Sequence, residues 1–154
     1  TGDWNDGMNR VGDQGKGESV WLGWFLHATI TAFARLADGR QEQARIPIWR
    51  RHTAALAKAL EREGWDGEWY RRAYFDDGTP LGSAANDECR IDAIAQSWSV
   101  ISRAAKPDHA AQAMIAFEQQ LIRRDDGLTL LFAPPFDRKP GAPCPRKTAA
   151  RTCF

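Results

Sequence analysis

The stretch ESVWLGWFLHATITAFARLADG, residues 18–39, decides the fold class of this chain. From Val20 its apolar residues fall at Trp21, Trp24, Phe25, Ala28, Ala32 and Leu36, the three-and-four spacing of a helix, with Leu22 and Phe33 widening the stripe. Glu18-Ser19 offers a start and Asp38-Gly39 a stop, so the spacing predicts a helix over Val20–Leu36. The same signals recur downstream. Pro47 suits a first turn, and Ile48, Ala55, Leu56, Ala59 and Leu60 mark the inner face of a helix over 47–63, stopped at Gly64. A third helix is expected over Ile91–Ala104. A fourth is expected over Asp108–Arg124, with Asp108 as N-cap behind Pro107.

Between the second and third helices lies GWDGEWYRRAYFDDGTPLGSAANDE, residues 64–88. Its Asp77-Gly78 and Thr79-Pro80 turn signals predict a hairpin or structured loop. It is long for a plain connection, and long ordered loops tend to carry function. LTLLF, residues 128–132, reads as a short strand before Pro134-Pro135. Thr1–Gly17, polar and glycine-rich, reads as a loop. The fold expected is therefore mainly α, paired helices with elaborate loops in a toroid or solenoid, and no strict internal repeat.

Composition narrows the function. The chain has 154 residues, enough for one domain with a core, and its formal net charge of +1 gives no electrostatic case for nucleic acid. No apolar run approaching the ~20 residues of a membrane span stands out. Cys89, Cys144 and Cys153 are odd in number and lack metal-ligand or disulfide-framework spacing, which points to a reducing compartment and no metal. The 7 Trp against 2 Tyr admit sugar stacking as well as an indole-rich core.

The opening GDWNDGMN, residues 2–9, holds chemistry that periodicity does not explain. As a calcium loop it fails: with Asp3 at position one, Gly7 falls at five and Gln14 at twelve. An Asx-turn with a tryptophan lid and a catalytic loop with an acid beside an indole both remain open. Arg71-Arg72 reads as a solvated pair or as partners of Asp76 or Asp77, with a role facing an anion or sugar as the alternative. Glu88 and Asp92 suit the dipole at the start of the third helix, and Asp92 and Gln96 share a face. His27 reads as a satisfied core histidine, His52 and His109 as surface residues.

GDWNDGMN with GESVWLGWFL (17–26) resembles the inverting sugar phosphorylases of glycoside hydrolase family 94. WYRRAYFDDGTPLGS (69–83), DECRIDAIAQSWSVIS (87–102) and LLFAPPFD (130–137) resemble its glucan-synthase branch. The resemblance implies part of an (α/α)6 barrel with a small β-hairpin or strand in its loops, and inverting phosphorolysis of β-1,2-glucan. Asp6 then corresponds to the general acid. Trp4 lines the sugar site, Asp3 and Asn5 shape the loop, and Gln96 lines or braces the site, so Trp4, Asn5, Asp3 and Gln96 form the expected substrate-binding set. An inverting phosphorylase needs one donor acid and an anion pocket, because phosphate replaces the water and base of a hydrolase. Burial against Trp4 and the nearby phosphate would keep Asp6 protonated. Inorganic phosphate is the expected co-substrate, with no cofactor. The expected partners are β-glucan, phosphate and the rest of a longer chain, with no nucleic acid or membrane contact. The expected location is the cytoplasmic side of a bacterial inner-membrane protein.

After PPFDRKPG (134–141) the family continues with an Arg-Glu-Asn-Gly-Gly stretch and a His of the sugar and phosphate site. This chain reads APCPRKTAARTCF (142–154). With suitable codons, a shifted reading frame over Arg146–Ala150 would restore Glu-Asn-Gly-Gly. The expectation is thus a family region over 1–140, a departing tail over 141–154, unassigned phosphate ligands and an isolated chain without turnover. The rival expectations are a non-catalytic carbohydrate-binding remnant and part of a cellobiose-type disaccharide phosphorylase.

Overall fold

The computed structural model describes residues 3–40 and 43–137; the expected departing tail over 141–154 lies outside them. The described chain is mainly α. Helices α1 (Val20–Gly39), α2 (Ile46–Ala59), α3 (Ala93–Ile101) and α4 (Pro107–Leu121) are joined by two-residue strands. Strand β1 (Glu18–Ser19) pairs antiparallel with β2 (Ala73–Tyr74), which pairs with β3 (Pro80–Leu81); β4 (Ile91–Asp92) pairs with β7 (Phe132–Ala133), and β5 (Ile122–Arg123) with β6 (Leu128–Thr129). The stretch read as one strand over 128–132 is thus two half-strands serving different partners, divided at Leu130-Leu131.

Each helix departs from its sequence reading at an end, for a local reason. Asp92 stays extended and accepts N–H bonds from Ile94 at 2.9 Å and Ala95 at 3.2 Å, so α3 starts after it and residues 91–92 go to a sheet. Asp108 is not the cap of α4: Pro107 takes the first turn, and the Lys106 N–H ahead of it is received by Glu61 Oε1 from across the fold at 2.8 Å. Helix α2 ends in a π-helical turn, Leu60–Gly64, whose Glu63 carbonyl accepts bonds from Arg71 Nη1 at 2.7 Å and Tyr74 Oη at 2.6 Å. That turn is tied to the hairpin as a result.

Two apolar clusters form the core. The larger joins Val20, Trp21 and Trp24 of α1 to Leu60, Trp69, Tyr70, Ile91, Ala95, Ala113, Ala116 and Leu121. The smaller joins Met8 and Val11 to Ala73, Leu81, Cys89, Phe132 and Phe136. The opening segment is therefore no free loop: Met8 and Val11 are buried, and Asp6–Met8 forms a 3-10 turn.

The stripe on α1 is covered only near its start. Trp21 and Trp24 are buried, but Phe25, Phe33 and Leu36 are exposed, Leu36 by 62%. On α2, Ile48 and Ala55 also face outward instead of inward as their spacing implied. Of these positions Phe25 still meets the rings of Trp21 and Trp98, at 5.9 Å and 5.1 Å. By length and composition α1 is apolar enough to cross a membrane, contrary to the sequence reading; its first turns nonetheless sit in the core.

Two close approaches fix the hairpin. Gly82 has φ +79°, and a Cβ there would lie 2.6 Å from the Arg72 amide nitrogen. Asp76 clips the opening segment to the hairpin by accepting the N–H groups of Lys16 at 2.7 Å and Gly17 at 3.0 Å. Burial alone would raise the Asp76 carboxyl, but these bonds outweigh it and hold it at about 2.

Gly82→Ala is expected to cost about 1–3 kcal/mol in chemical denaturation, because neither the left-handed backbone nor the Arg72 main chain can yield cheaply. The Asp76 clip gives stability that is full above the ordinary carboxylate range and lost as pH falls from about 4 through about 2. An acid titration in which Asp76→Asn no longer shows that component checks the assignment.

Candidate active site

The Asp3 carboxylate is the anchor of the opening segment. It is fully buried, and its Oδ2 accepts bonds from Ser19 Oγ at 2.7 Å, Trp21 Nε1 at 3.0 Å and Arg72 Nη1 at 2.7 Å. Its Oδ1 accepts Arg72 Nη2 at 3.1 Å and the Asn5 N–H at 3.0 Å. The Asn5 side chain in turn accepts the Gly7 N–H at 2.9 Å, capping the turn that begins at Asp6. Asp6 thus heads a turn pinned from its N-terminal side; its side chain lies outside the described part of the structure.

Arg72 does not face solvent or Asp76 and Asp77. It is wholly buried between Asp3 and Asp92, with Nε 3.3 Å from Asp92 Oδ2 and the guanidinium carbon 5.5 Å from the Trp21 ring centroid. Arg71, its neighbour, pairs with Asp66 at 2.5 Å. The two adjacent arginines, just ahead of β2, thus reach different acids, a separation that composition does not reveal. Burial pushes the Asp92 carboxyl above its ordinary range; Arg72 and the N–H groups of Ala95 and Ile94 pull it back only in part.

Of the expected substrate-binding set, Trp4 is on the surface, 63% exposed. Asn5 is half-buried and committed to the turn. Asp3 and Gln96 stand behind the surface. Gln96 is fully buried, its Oε1 accepting the Tyr70 N–H at 2.8 Å and its Nε2 donating to the Tyr70 and Asp92 carbonyls at 2.8 Å and 2.9 Å. In this arrangement both side chains are committed to partners within the chain.

Beside Trp4 lies an aromatic face assembled from three chain segments. Trp4 meets Trp21 edge-on at 5.8 Å, Trp21 meets Trp98 at 6.1 Å, and Phe25 meets Trp98 edge-on at 5.1 Å. Phe25 is 43% exposed and Trp98 half-buried, so the face is open. Aromatic rings carry a negative π face and a positive edge, which the edge-on pairs here satisfy. Helix periodicity assigned Phe25 to the core and gave no hint that it would meet Trp98.

The histidines lie elsewhere. His27 on α1 has a buried Nδ1 with no hydrogen-bond partner, so it is not the satisfied core residue expected, and burial lowers its pKa. His109 is not a free surface residue: it stacks on Trp65 at 4.0 Å with planes 5° apart, and its Nδ1 sits 2.8 Å from Glu61 Oε2. Burial pushes the Glu61 carboxyl up, but hydrogen bonds from Tyr70, Lys106 and His109 outweigh it and hold it below its ordinary value. The buried thiol of Cys89 is pushed up by desolvation.

Comparison with known proteins shows the family. The sequence pattern of the Glycosyl hydrolase 94 superfamily, catalytic domain, matches residues 1–143. The chain belongs to the glycosyl hydrolase 94 family. It is 53% identical over 136 residues to the cyclic beta-(1,2)-glucan synthase NdvB of Rhizobium meliloti (strain 1021), covering 88% of this chain and 5% of that protein. It is 37% identical over 139 residues to the solabiose phosphorylase of Paenibacillus borealis, covering 88% of this chain and 17% of that protein. The cellobionic acid phosphorylase of Neurospora crassa is 33% identical over 137 residues, with 89% and 17% covered. This glycosyl hydrolase 94 chain thus spans 17% or less of the length of these relatives.

In this glycosyl hydrolase 94 chain Asp92 serves both as helix cap and as partner of Arg72. Asp92→Asn keeps the capping oxygen and is expected to be milder than Asp92→Ala by about 1 kcal/mol in denaturant unfolding. The raised Asp92 carboxyl means the folded chain holds that proton to higher pH than the unfolded chain. Its contribution is full below the ordinary carboxylate range and is lost as pH rises through the folded value; Asp92→Asn is expected to remove that slope from the stability–pH curve.

Proposed function

We propose that this chain supplies the acid-bearing loop and part of the sugar-binding wall of an inverting glycoside phosphorylase site acting on β-1,2-glucan, within a cyclic β-1,2-glucan synthase. The observation that carries the reading is the juxtaposition of the turn headed by Asp6 with the open aromatic face of Trp4, Phe25 and Trp98. The high identity to the glucan synthase supports the substrate class, and the phosphorylase relatives support the reaction class.

In this reading Asp6 protonates the glycosidic oxygen as the bond to the anomeric carbon breaks. Phosphate attacks that carbon from the opposite face, so a β-linkage yields an α-glucosyl phosphate and no second carboxylate is needed. Trp4 and its neighbours hold the sugar ring in line. Asp3, Asn5 and Gln96 act behind that surface, fixing the loop and the start of α3. Phosphate is co-substrate; its ligands, and the helices that would complete an (α/α)6 barrel over the exposed stripes of α1 and α2, come from residues outside the described ones. The site lies on the cytoplasmic side of a bacterial inner-membrane protein.

A disaccharide phosphorylase is the second reading, favoured by the 37% identity to solabiose phosphorylase. Phosphate-dependent release of glucose 1-phosphate from β-1,2-glucan and from cellobiose by the full-length protein separates the two. Asp6→Asn is expected to lower kcat by about 10²–10⁴-fold, and the wild-type rate is expected to fall on the alkaline side as the acid loses its proton. A flat pH–rate profile, or full activity in Asp6→Asn, rules out Asp6 as the acid. Glucan binding without phosphate-dependent release marks a binding remnant instead.

A further inference from the structure

We infer that Arg72 is the positioning residue of the acid-bearing loop, a role that rests on Asp6 being the proton donor. One residue reaches three parts of the site, two with its guanidinium and one with its main chain. Its Nη1 and Nη2 grip both oxygens of Asp3 at 2.7 Å and 3.1 Å, although the two residues are 69 apart in sequence. Its Nε faces Asp92, the cap of the helix that carries Trp98. Its own backbone accepts the Val20 N–H at 3.0 Å, at the start of the helix that carries Trp21 and Phe25, and donates to the Leu81 carbonyl at 2.8 Å.

From Asp3 the restraint runs to the residues flanking Asp6. Asp3 Oδ1 takes the Asn5 N–H, Asn5 Oδ1 takes the Gly7 N–H, and the Asn5 carbonyl takes the Met8 N–H at 2.8 Å. The residues on both sides of Asp6 are held by Asn5, and Asn5 is tied through Asp3 to Arg72.

Stability alone is a poor reason for such a pair, because a buried ion pair is often matched by well-packed apolar residues of the same volume. Direction is what apolar packing cannot supply. The planar fork of arginine grips both oxygens of Asp3 in one plane, with Nε 3.3 Å from Asp92 Oδ2; a lysine ammonium has no such plane. The network thus sets the distance between the acid loop and the aromatic face, to which proton transfer is sensitive: a displacement of about 1 Å can cost about 10²-fold in rate.

The test compares Arg72→Lys, Asp3→Asn and their double variant with Asp6→Asn in the full-length protein, following phosphate-dependent release of glucose 1-phosphate from β-1,2-glucan. Near-ultraviolet circular dichroism reports folding. Arg72→Lys and Asp3→Asn are expected to stay folded, to lose about 10–100-fold in kcat with little change in KM, and to shift the alkaline limb of the pH–rate profile. The double variant is expected to lose no more than the worse single one, since the two act as a unit. Unchanged kcat in the folded variants, kcat and KM moving together, additive losses, or unfolding of both single variants overturns the inference. If Asp6→Asn keeps full activity, the general-acid reading fails; if Asp6→Asn is inactive while Arg72→Lys and Asp3→Asn keep their kcat, only the positioning role fails.

Discussion

The buried contact between Arg72 and the carboxylates of Asp3 and Asp92 is the constraint on which the described structure turns. Three ionisable side chains share a buried site: Ser19, Trp21, Asn5 and Arg72 all donate to Asp3 and the first amides of α3 donate to Asp92 Oδ1, while Arg72 Nε and Asp92 Oδ2 face each other at 3.3 Å without a hydrogen bond. Removing one member of such a set typically costs about 3–5 kcal/mol, because the remaining charge is stranded without water. The site therefore admits one arrangement of the opening segment, the hairpin and α3, and few others.

A second constraint follows from it. Once Asp3 is held, Met8 and Val11 fall onto Ala73, Leu81, Cys89, Phe132 and Phe136, closing the smaller core under the turn that Asp6 heads. The loop rests on packed apolar groups below and on an ion pair behind. Trp4 is left free to face outward, beside Trp21, Trp98 and Phe25. Rigid backing with an exposed indole suits a surface that must orient a ligand without reshaping itself.

The helices illustrate a different balance. Their apolar stripes are strong enough to specify helix, but a stripe states only that a face wants cover, not what covers it. On α1 the cover comes early, from Leu60, Tyr70 and Ala95 around Trp21 and Trp24; farther along, Phe33 and Leu36 are exposed. The helix ends were decided by neighbours distant in sequence. Glu61 receives the Lys106 amide ahead of α4, and pairing with Phe132-Ala133 draws Ile91-Asp92 into a strand before α3 can begin.

The sequence by itself determined the mainly-α class, the existence and approximate span of four helices, the hairpin within 64–88 and the family. Each of these is written in local periodicity, turn residues or contiguous motifs. Only the tertiary structure decided that Arg72 faces Asp3 and Asp92 while Arg71 faces Asp66, that Gln96 braces Tyr70, that His109 stacks on Trp65, and that Phe25 joins an aromatic face. These pairings join residues remote in the chain, and a guanidinium, a carboxamide or an aromatic ring carries no local mark of its partner. Burial and charge are settled by what the folded chain brings alongside, which spacing along the sequence does not encode.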